Sequence, residues 1–242
     1  MVKKLALLYE GKAKKVYTTD DANVLWVEYK DSATAFNGEK KATIAGKGRL
    51  NNEITSVLFS KLCEAGIPNH FIQKLSATEQ LVKKVTIIPL EVVVRNVVAG
   101  SLAKRLGIPE GTRLEKPLIE FYYKNDDLGD PLLLEDHIAI LKLATSEQIA
   151  VLKELALKVN DVLTKHFADC RVRLIDFKLE FGVDAEGAIL LADEISPDTC
   201  RLWDMETNEK LDKDVFRRDL GSLTDAYETI LQRLGGESAC TK

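Results

Sequence analysis

In the segment LIDFKLEFG (174–182) a charge stands at every second position. Strand side chains alternate between two faces, so Asp176, Lys178 and Glu180 share one face while Ile175, Phe177, Leu179 and Phe181 share the other. Same-face neighbours lie roughly 6.5–7 Å apart, which lets a phosphate or a metal ion sit over the row. A solvated outer face gives the same alternation, and this strand alone does not separate the two readings. The run AILLADEIS (188–196) follows across the turn Asp184-Ala185-Glu186-Gly187, so a hairpin brings Asp193 to the Glu180 side. Mg²⁺ takes one or two carboxylates together with phosphate oxygens and waters, which makes Glu180 and Asp193 the candidate metal ligands of a metal–nucleotide site. The bland alternative is that Ser196-Pro197-Asp198 is turn chemistry ending a strand.

Positive charge to match it stands in YEGKAKKVY (9–17), which reads as a hairpin with Gly11 at its tip. Glycine permits close backbone approach, and Lys12 and Lys14, flanking Ala13, supply charge to a phosphate. The segment is neither a Walker loop nor a GxGxxG, and an exposed charged turn is the competing reading. Arg95 and Ser101 form a further candidate: a strand arginine and the start of a short helix can hold a phosphate through a fork of N–H donors. Against it stands the reading that Ser101 is an N-cap and Arg95 pairs with Glu91, its same-face neighbour beyond Val93.

The elements that must position these groups are legible in outline. Strands are expected at 5–9, 14–19 and 24–30, then an amphipathic helix at 48–65 closed by Gly66 and Pro68. Two extended apolar runs surround Pro89 within 81–98, a short helix SLAKRLG ends at Gly107, and 108–117 is a loop before a strand at 118–124. An acidic loop, NDDLGDP (125–131), precedes a long helix at 146–169 with Thr145 or Ser146 as N-cap, and 213–234 is again helical. No repeat or flexible linker interrupts the chain, and a lobe boundary is placed near residue 88: an N-terminal α+β lobe (1–88) with the phosphate-binding hairpin, and a C-terminal α+β lobe (89–242) with the metal and ribonucleotide site.

Composition removes several classes. A net charge of −4 over 242 residues speaks against a nucleic-acid partner, which needs a surplus of Lys and Arg. Pro89, Glu91 and Arg95 break the most apolar stretch, so no membrane span is expected, and Tyr9-Glu10-Gly11-Lys12 ends the N-terminal apolar run too early for an export signal. Cys63, Cys170, Cys200 and Cys240 lack metal-ligand spacing and read as reduced cytosolic thiols, which places the protein in the cytoplasm.

Taken in chain order, EGKAKKVY, GKGRLNNEI, LEVVVRNVVAGSLAKRLG, YYKNDDLGDPLL, LIDFKLEFG and ADEISPDTCRLWD resemble the motif series of the bacterial SAICAR synthetase family over almost the whole chain. The resemblance implies a two-lobed α+β fold related to the ATP-grasp and kinase-like folds, mainly antiparallel sheets with flanking helices. It implies a carbon–nitrogen ligase of purine biosynthesis that joins L-aspartate to a carboxylated aminoimidazole ribonucleotide, with ATP as co-substrate and Mg²⁺. An acyl phosphate is the expected intermediate, because a carboxylate resists amine attack until it carries a leaving group. By resemblance, Gly11, Lys12, Ala13, Lys14, Lys83 and Glu91 hold the nucleotide, and Glu180 and Asp193 hold the metal. Arg95, Ser101 and Arg201 grip the ribonucleotide phosphate; Asp176, Lys178 and Asp198 orient the imidazole; Lys12, Asp176 and Lys178 serve catalysis. The 31–37 loop and Lys124 through Pro131 are expected to take aspartate, and a homodimer is implied. Another ATP-dependent ligase or small-molecule kinase, and a nucleotide-binding regulatory module, are the alternatives.

Overall fold

The computed structural model describes residues 2–35 and 38–235, so Phe36 and Asn37 of the expected aspartate loop and Cys240 lie outside the described residues. The chain is α+β, as expected, and builds its site from two antiparallel sheets. The first contains β1 (Lys4–Glu10), β2 (Lys14–Thr19), β3 (Val24–Tyr29), β6 (Phe71–Lys74) and β7 (Glu79–Lys83), in the order β1-β2-β3-β7-β6. Between β3 and β6 lie the hairpin β4 (Ser32–Ala35) and β5 (Lys40–Thr43), then helix α1 (Lys47–Glu64). The second sheet contains β8 (Thr86–Val97), β9 (Arg113–Tyr123), β10 (Leu132–Leu133), β11 (Val172–Val183), β12 (Ile189–Ala192) and β13 (Cys200–Asp204). Its order is β10-β9-β8-β11-β12, with β13 also on β11. Helices α2 (Gly100–Leu106), α3 (Glu135–Leu141), α4 (Ser146–Asp169), α5 (Asp214–Arg217) and α6 (Leu223–Arg233) complete the chain.

Strand β11 organises the second sheet. One edge pairs with β8, and the other is shared, β13 taking Val172–Phe177 and β12 taking Glu180–Val183. Where the partners change over, the segment 193–199 joins β12 to β13 along that edge, and the Lys178 amide donates to the Thr199 carbonyl at 2.9 Å. Phe177, Leu179 and Phe181 enter one core with Val92 and Val94 of β8, Leu152, Val159 and Leu163 of α4, Leu58 of α1 and Ile230 of α6. Each such side chain removed from water contributes roughly 1.5–3 kcal/mol, which fixes which face of β11 points inward. Asp176, Lys178 and Glu180 are thereby turned to the other face.

Several expectations change in detail. The alternation breaks at Ile175, which joins a separate small cluster with Val97, Ala99 and Trp203, because the β11–β13 register slips between Leu174 and Asp176. The strand expected at 118–124 begins at Arg113 and runs through Pro117, whose outer side has no strand partner, since β10 pairs only with Phe121 and Tyr122. Pro89 does not separate two strands: it lies inside β8 at a bulge, where the three residues between Ile87 and Glu91 face the one between Gly182 and Glu180. Residue 88 falls in that same bulge, and the chain leaves the first sheet at Lys84 and Val85, between β7 and β8. The C-terminal helix is two helices, parted where Asp219 and Gly221 take positive φ. Among the described residues no helix is long and apolar enough to cross a membrane, and Cys63, Cys170 and Cys200 are free thiols.

One buried polar centre ties α1 and α6 to the 193–199 segment. The Asp198 carboxylate accepts from Lys47 Nζ, from Asn51 Nδ2 at 2.9 Å and from Tyr227 OH at 2.6 Å. Burial opposes its charge, but Lys213 and Lys47 hold it well below the usual carboxylate range. Tyr227→Phe is expected to lower unfolding stability by about 1.5–3 kcal/mol, the worth of a hydrogen bond to a charged group, with urea unfolding as the measurement.

Candidate active site

The β1–β2 hairpin, the inner face of the first sheet and the polar face of β11 enclose a cleft of about 570 Å³. Gly11, Lys12, Ala13, Lys14, Lys83, Glu91, Lys178, Glu180 and Asp193 all line it, so the expected nucleotide and metal residues come together in one space. Its apolar wall is Val16, Leu25, Val27 and Val82, alternate residues of three adjacent strands. The Gly11 amide is used in closing the hairpin, donating to the Lys14 carbonyl at 2.8 Å.

Charge inside the cleft is densely paired. Lys178 Nζ lies 2.6 Å from Glu180, 3.0 Å from Glu91 and 3.7 Å from Asp193, and Lys124 Nζ lies 2.9 Å from Glu180. Lys14 pairs with Asp193 and stands 3.8 Å from Glu194. Burial works against the charges of Lys14, Lys124, Lys178 and Asp193. Asp193 and Glu194 nevertheless raise Lys14 well above the usual lysine range, Glu180 and Asp193 do the same for Lys178, and Lys14 and Lys178 hold Asp193 ionised far below its usual range. Burial dominates at Glu194, pushing its acid up, and at His70, which it pulls down to about 4 and so keeps neutral. Glu180 is 3% exposed, and the solvated-face reading of the β11 row is overturned. At the mouth Lys12 Nζ reaches Asp126 of the acidic loop at 2.7 Å, an exposed pair.

Among the described residues no three His, Cys, Asp or Glu side chains converge as a closed metal cage. Glu180 and Asp193 instead meet across the Lys178 ammonium, as a two-carboxylate half-site open to the cleft. That donor set fits Mg²⁺, which completes its shell with phosphate oxygens and waters.

The remaining site residues gather beyond Asp176, at the other end of the row. Arg95 Nη1 donates to Asp176 Oδ2 at 2.7 Å, Nε to Glu120 at 2.7 Å and Nη2 to Ser101 Oγ at 3.1 Å. Arg201 Nη1 donates to the same Asp176 oxygen at 2.9 Å. Arg95 therefore does not pair with Glu91, which faces Lys178, and Ser101 is not an N-cap, since Ala99 holds that place in α2. Asp198 joins neither group; its oxygens are taken by Lys47, Asn51 and Tyr227.

Comparison with known proteins places this geometry. The family model for SAICAR synthetase matches residues 7–234. The chain belongs to the SAICAR synthetase family. The phosphoribosylaminoimidazole-succinocarboxamide synthase of Anoxybacillus flavithermus is 71% identical over the whole of both chains, and that of Bacillus cytotoxicus is 73% identical over 98% of this chain and 99% of its own. Among solved structures, the synthase of Ehrlichia chaffeensis superposes with a TM-score of 0.94 at 47% identity, covering 96% of this chain and 100% of its own. A SAICAR synthetase solved in complex with ADP superposes with a TM-score of 0.92 at 52% identity, covering 95% of this chain and 98% of its own.

For this SAICAR synthetase family member, sequence reasoning left out Lys47, Glu120 and Glu194, and it gave Lys124 to the aspartate loop without its contact to Glu180. Glu194 follows Asp193, so adjacency alone was a usable signal. Lys47 and Glu120 carried none, because their roles depend on partners 151 and 25 residues away.

Proposed function

We propose that the chain is an ATP-dependent ligase joining L-aspartate to 5-amino-1-(5-phosphoribosyl)imidazole-4-carboxylate, giving SAICAR, ADP and phosphate in purine biosynthesis. The observation that carries the reading is the β11 row: Asp176, Lys178 and Glu180 run from a pair of arginines into a cleft that also holds Asp193 and the lysines Lys12, Lys14, Lys83 and Lys124. A row that touches both places serves phosphoryl transfer between two bound substrates better than binding of either alone.

In this reading Val16, Leu25, Val27 and Val82 take the adenine, and Lys12, Lys14 and Lys83 with Glu91 hold the rest of the nucleotide. Glu180 and Asp193 hold Mg²⁺, which supplies charge neutralisation for the polyphosphate when bound. Arg95, Ser101 and Arg201 hold the ribonucleotide phosphate, and Asp176, accepting from both arginines, fixes their spacing. An imidazole carboxylate oxygen attacks the γ-phosphorus, the bond to the β-phosphate oxygen breaks and ADP leaves. Lys178 stands where it offsets the charge on the transferring group. The aspartate amine then attacks the acyl carbon, the carbon–oxygen bond to phosphate breaks, and the amine gives up its proton as the amide forms. Asp198 acts from behind, holding the 193–199 segment that carries Asp193. The two lobes meet at the β7–β8 junction near residue 88, the cleft between them.

The acidic loop from Lys124 to Pro131 is placed to receive aspartate. Asp126→Ala is expected to raise KM for L-aspartate about tenfold, the worth of one hydrogen bond to a charged group; an unchanged value places the pocket elsewhere. A homodimer is inferred from the family resemblance, with the exposed Leu5, Leu7, Leu8 and Tyr9 of edge strand β1 as the surface to examine by sedimentation. The cytoplasm is the inferred location, since phosphorylated substrates of this kind do not cross bilayers unaided. A coupled assay for ADP release, omitting in turn ATP, Mg²⁺, L-aspartate and the carboxylated ribonucleotide, tests the whole reading. Turnover must need all four, and ADP release without aspartate favours a kinase.

A further inference from the structure

Arg201 is held at two places. Its Nη1 meets Asp176, and its Nε donates to Asp214 Oδ2 at 3.1 Å. The other Asp214 oxygen accepts from Arg217 Nη1 at 2.6 Å, and Arg218 Nη2 lies 3.5 Å from Oδ2. Asp214 is 1% exposed, so this is a buried carboxylate gathering arginines rather than a surface pair.

Its own position is fixed by a second carboxylate. Asp212 is fully buried and accepts two backbone N–H bonds, one from Asp214 at 2.7 Å and one from Leu202 at 2.8 Å. Leu202 follows Arg201 on β13, so Asp212 hooks the segment bearing Asp214 onto the strand bearing Arg201. The residue between them faces another way, with Lys213 Nζ 3.8 Å from Asp198. Burial, and then its neighbour Asp214, push the Asp212 carboxyl up to about 7. Burial opposes the Asp214 charge too, but Arg201 and Arg217 hold it below the usual range.

We propose that Asp214, anchored to β13 through Asp212, is a positioning residue that sets the Arg201 guanidinium for the phosphate of the ribonucleotide substrate. This rests on the ligase reading above, and the wild-type assay separates the two: wild-type protein that shows no ribonucleotide-dependent ADP release sinks both, whereas the proposal alone is judged on the variants. Asp214→Asn removes the charge facing Arg201 and Arg217 while keeping the size. It is expected to raise KM for the ribonucleotide roughly tenfold, one charge-assisted hydrogen bond, with KM for ATP within about twofold of wild type. Asp214→Glu is expected to recover part of the loss. In an Arg201→Gln background, Asp214→Asn is expected to add less than about twofold, because a residue acting through Arg201 has nothing left to position. The proposal is overturned by an unchanged ribonucleotide KM, by an equal rise in the ATP KM, or by full additivity of the two substitutions. Should Asp214→Asn not fold, Asp214→Glu alone decides: it must shift the ribonucleotide KM and spare that for ATP, and any other pattern overturns the proposal.

Discussion

Asp193→Asn is expected to lower kcat by roughly 10²–10³, the usual loss when one preorganised electrostatic group is taken from a phosphoryl-transfer site, while the fold survives. Asparagine suits the test because Asp193 sits at φ 60, a left-handed backbone that asparagine tolerates and alanine does not. The substitution takes one of two carboxylates from the metal half-site and the partner from Lys14, which keeps Glu194 at 3.8 Å. Stability should fall less than activity. The pH dependence has a definite sign. Lys14 and Lys178 depress the folded Asp193 below its ordinary range, so its contribution is complete above a pH of about 4 and is lost as the pH falls below that. The variant should therefore lose less stability on acidification than wild type. Magnesium titration of kcat, with thermal melts at neutral and acid pH, checks both halves, and normal magnesium-dependent turnover would remove Asp193 from the metal site.

The shared face of the β11 charges was legible because its cause is local. From Asp176 to Glu180 the strand keeps register with Arg95 to Glu91, so period-two alternation in the sequence is alternation in space. One residue earlier the bulge at Ile175 breaks that correspondence, and a bulge depends on how β13 is accommodated, 25 residues further along. The same contrast separates Lys12 and Lys14, read from a hairpin, from Asp198, whose oxygens are claimed by residues of α1 and α6. The competing reading that paired Arg95 with Glu91 fails because the carboxylates Arg95 meets come from β9 and β11 rather than from its own strand. Some signals were present and unread. Gly221 followed by Ser222, whose side chain caps the Asp225 amide, marks the start of α6 as a separate helix. Pro117 misled by looking like a strand breaker where β9 has a bare outer edge.

Gly100→Ala is expected to raise KM for the ribonucleotide roughly 10–100-fold while leaving the nucleotide cleft intact. Gly100 opens α2 at φ 53, where an alanine is strained by about 1 kcal/mol, a modest loss of stability. The larger effect is steric. A Cβ at this position would stand 2.6 Å from Arg201 Cζ, far inside contact distance, so the guanidinium must move. A free arginine would yield at little cost, but this one is fixed by Asp176 on one nitrogen and Asp214 on another. Moving it takes the guanidinium off the line those two carboxylates set, and a lost hydrogen bond from it to the charged phosphate, about 1.5–3 kcal/mol, is the stated change in KM. The glycine is thus required by what lies over it as well as by its backbone. The split between substrates is the check: KM for ATP should stay near wild type, since Lys12, Lys14 and Asp193 lie at the opposite end of the β11 row. If Gly100→Ala leaves the ribonucleotide KM alone, Arg201 does not hold that substrate where it stands in this structure.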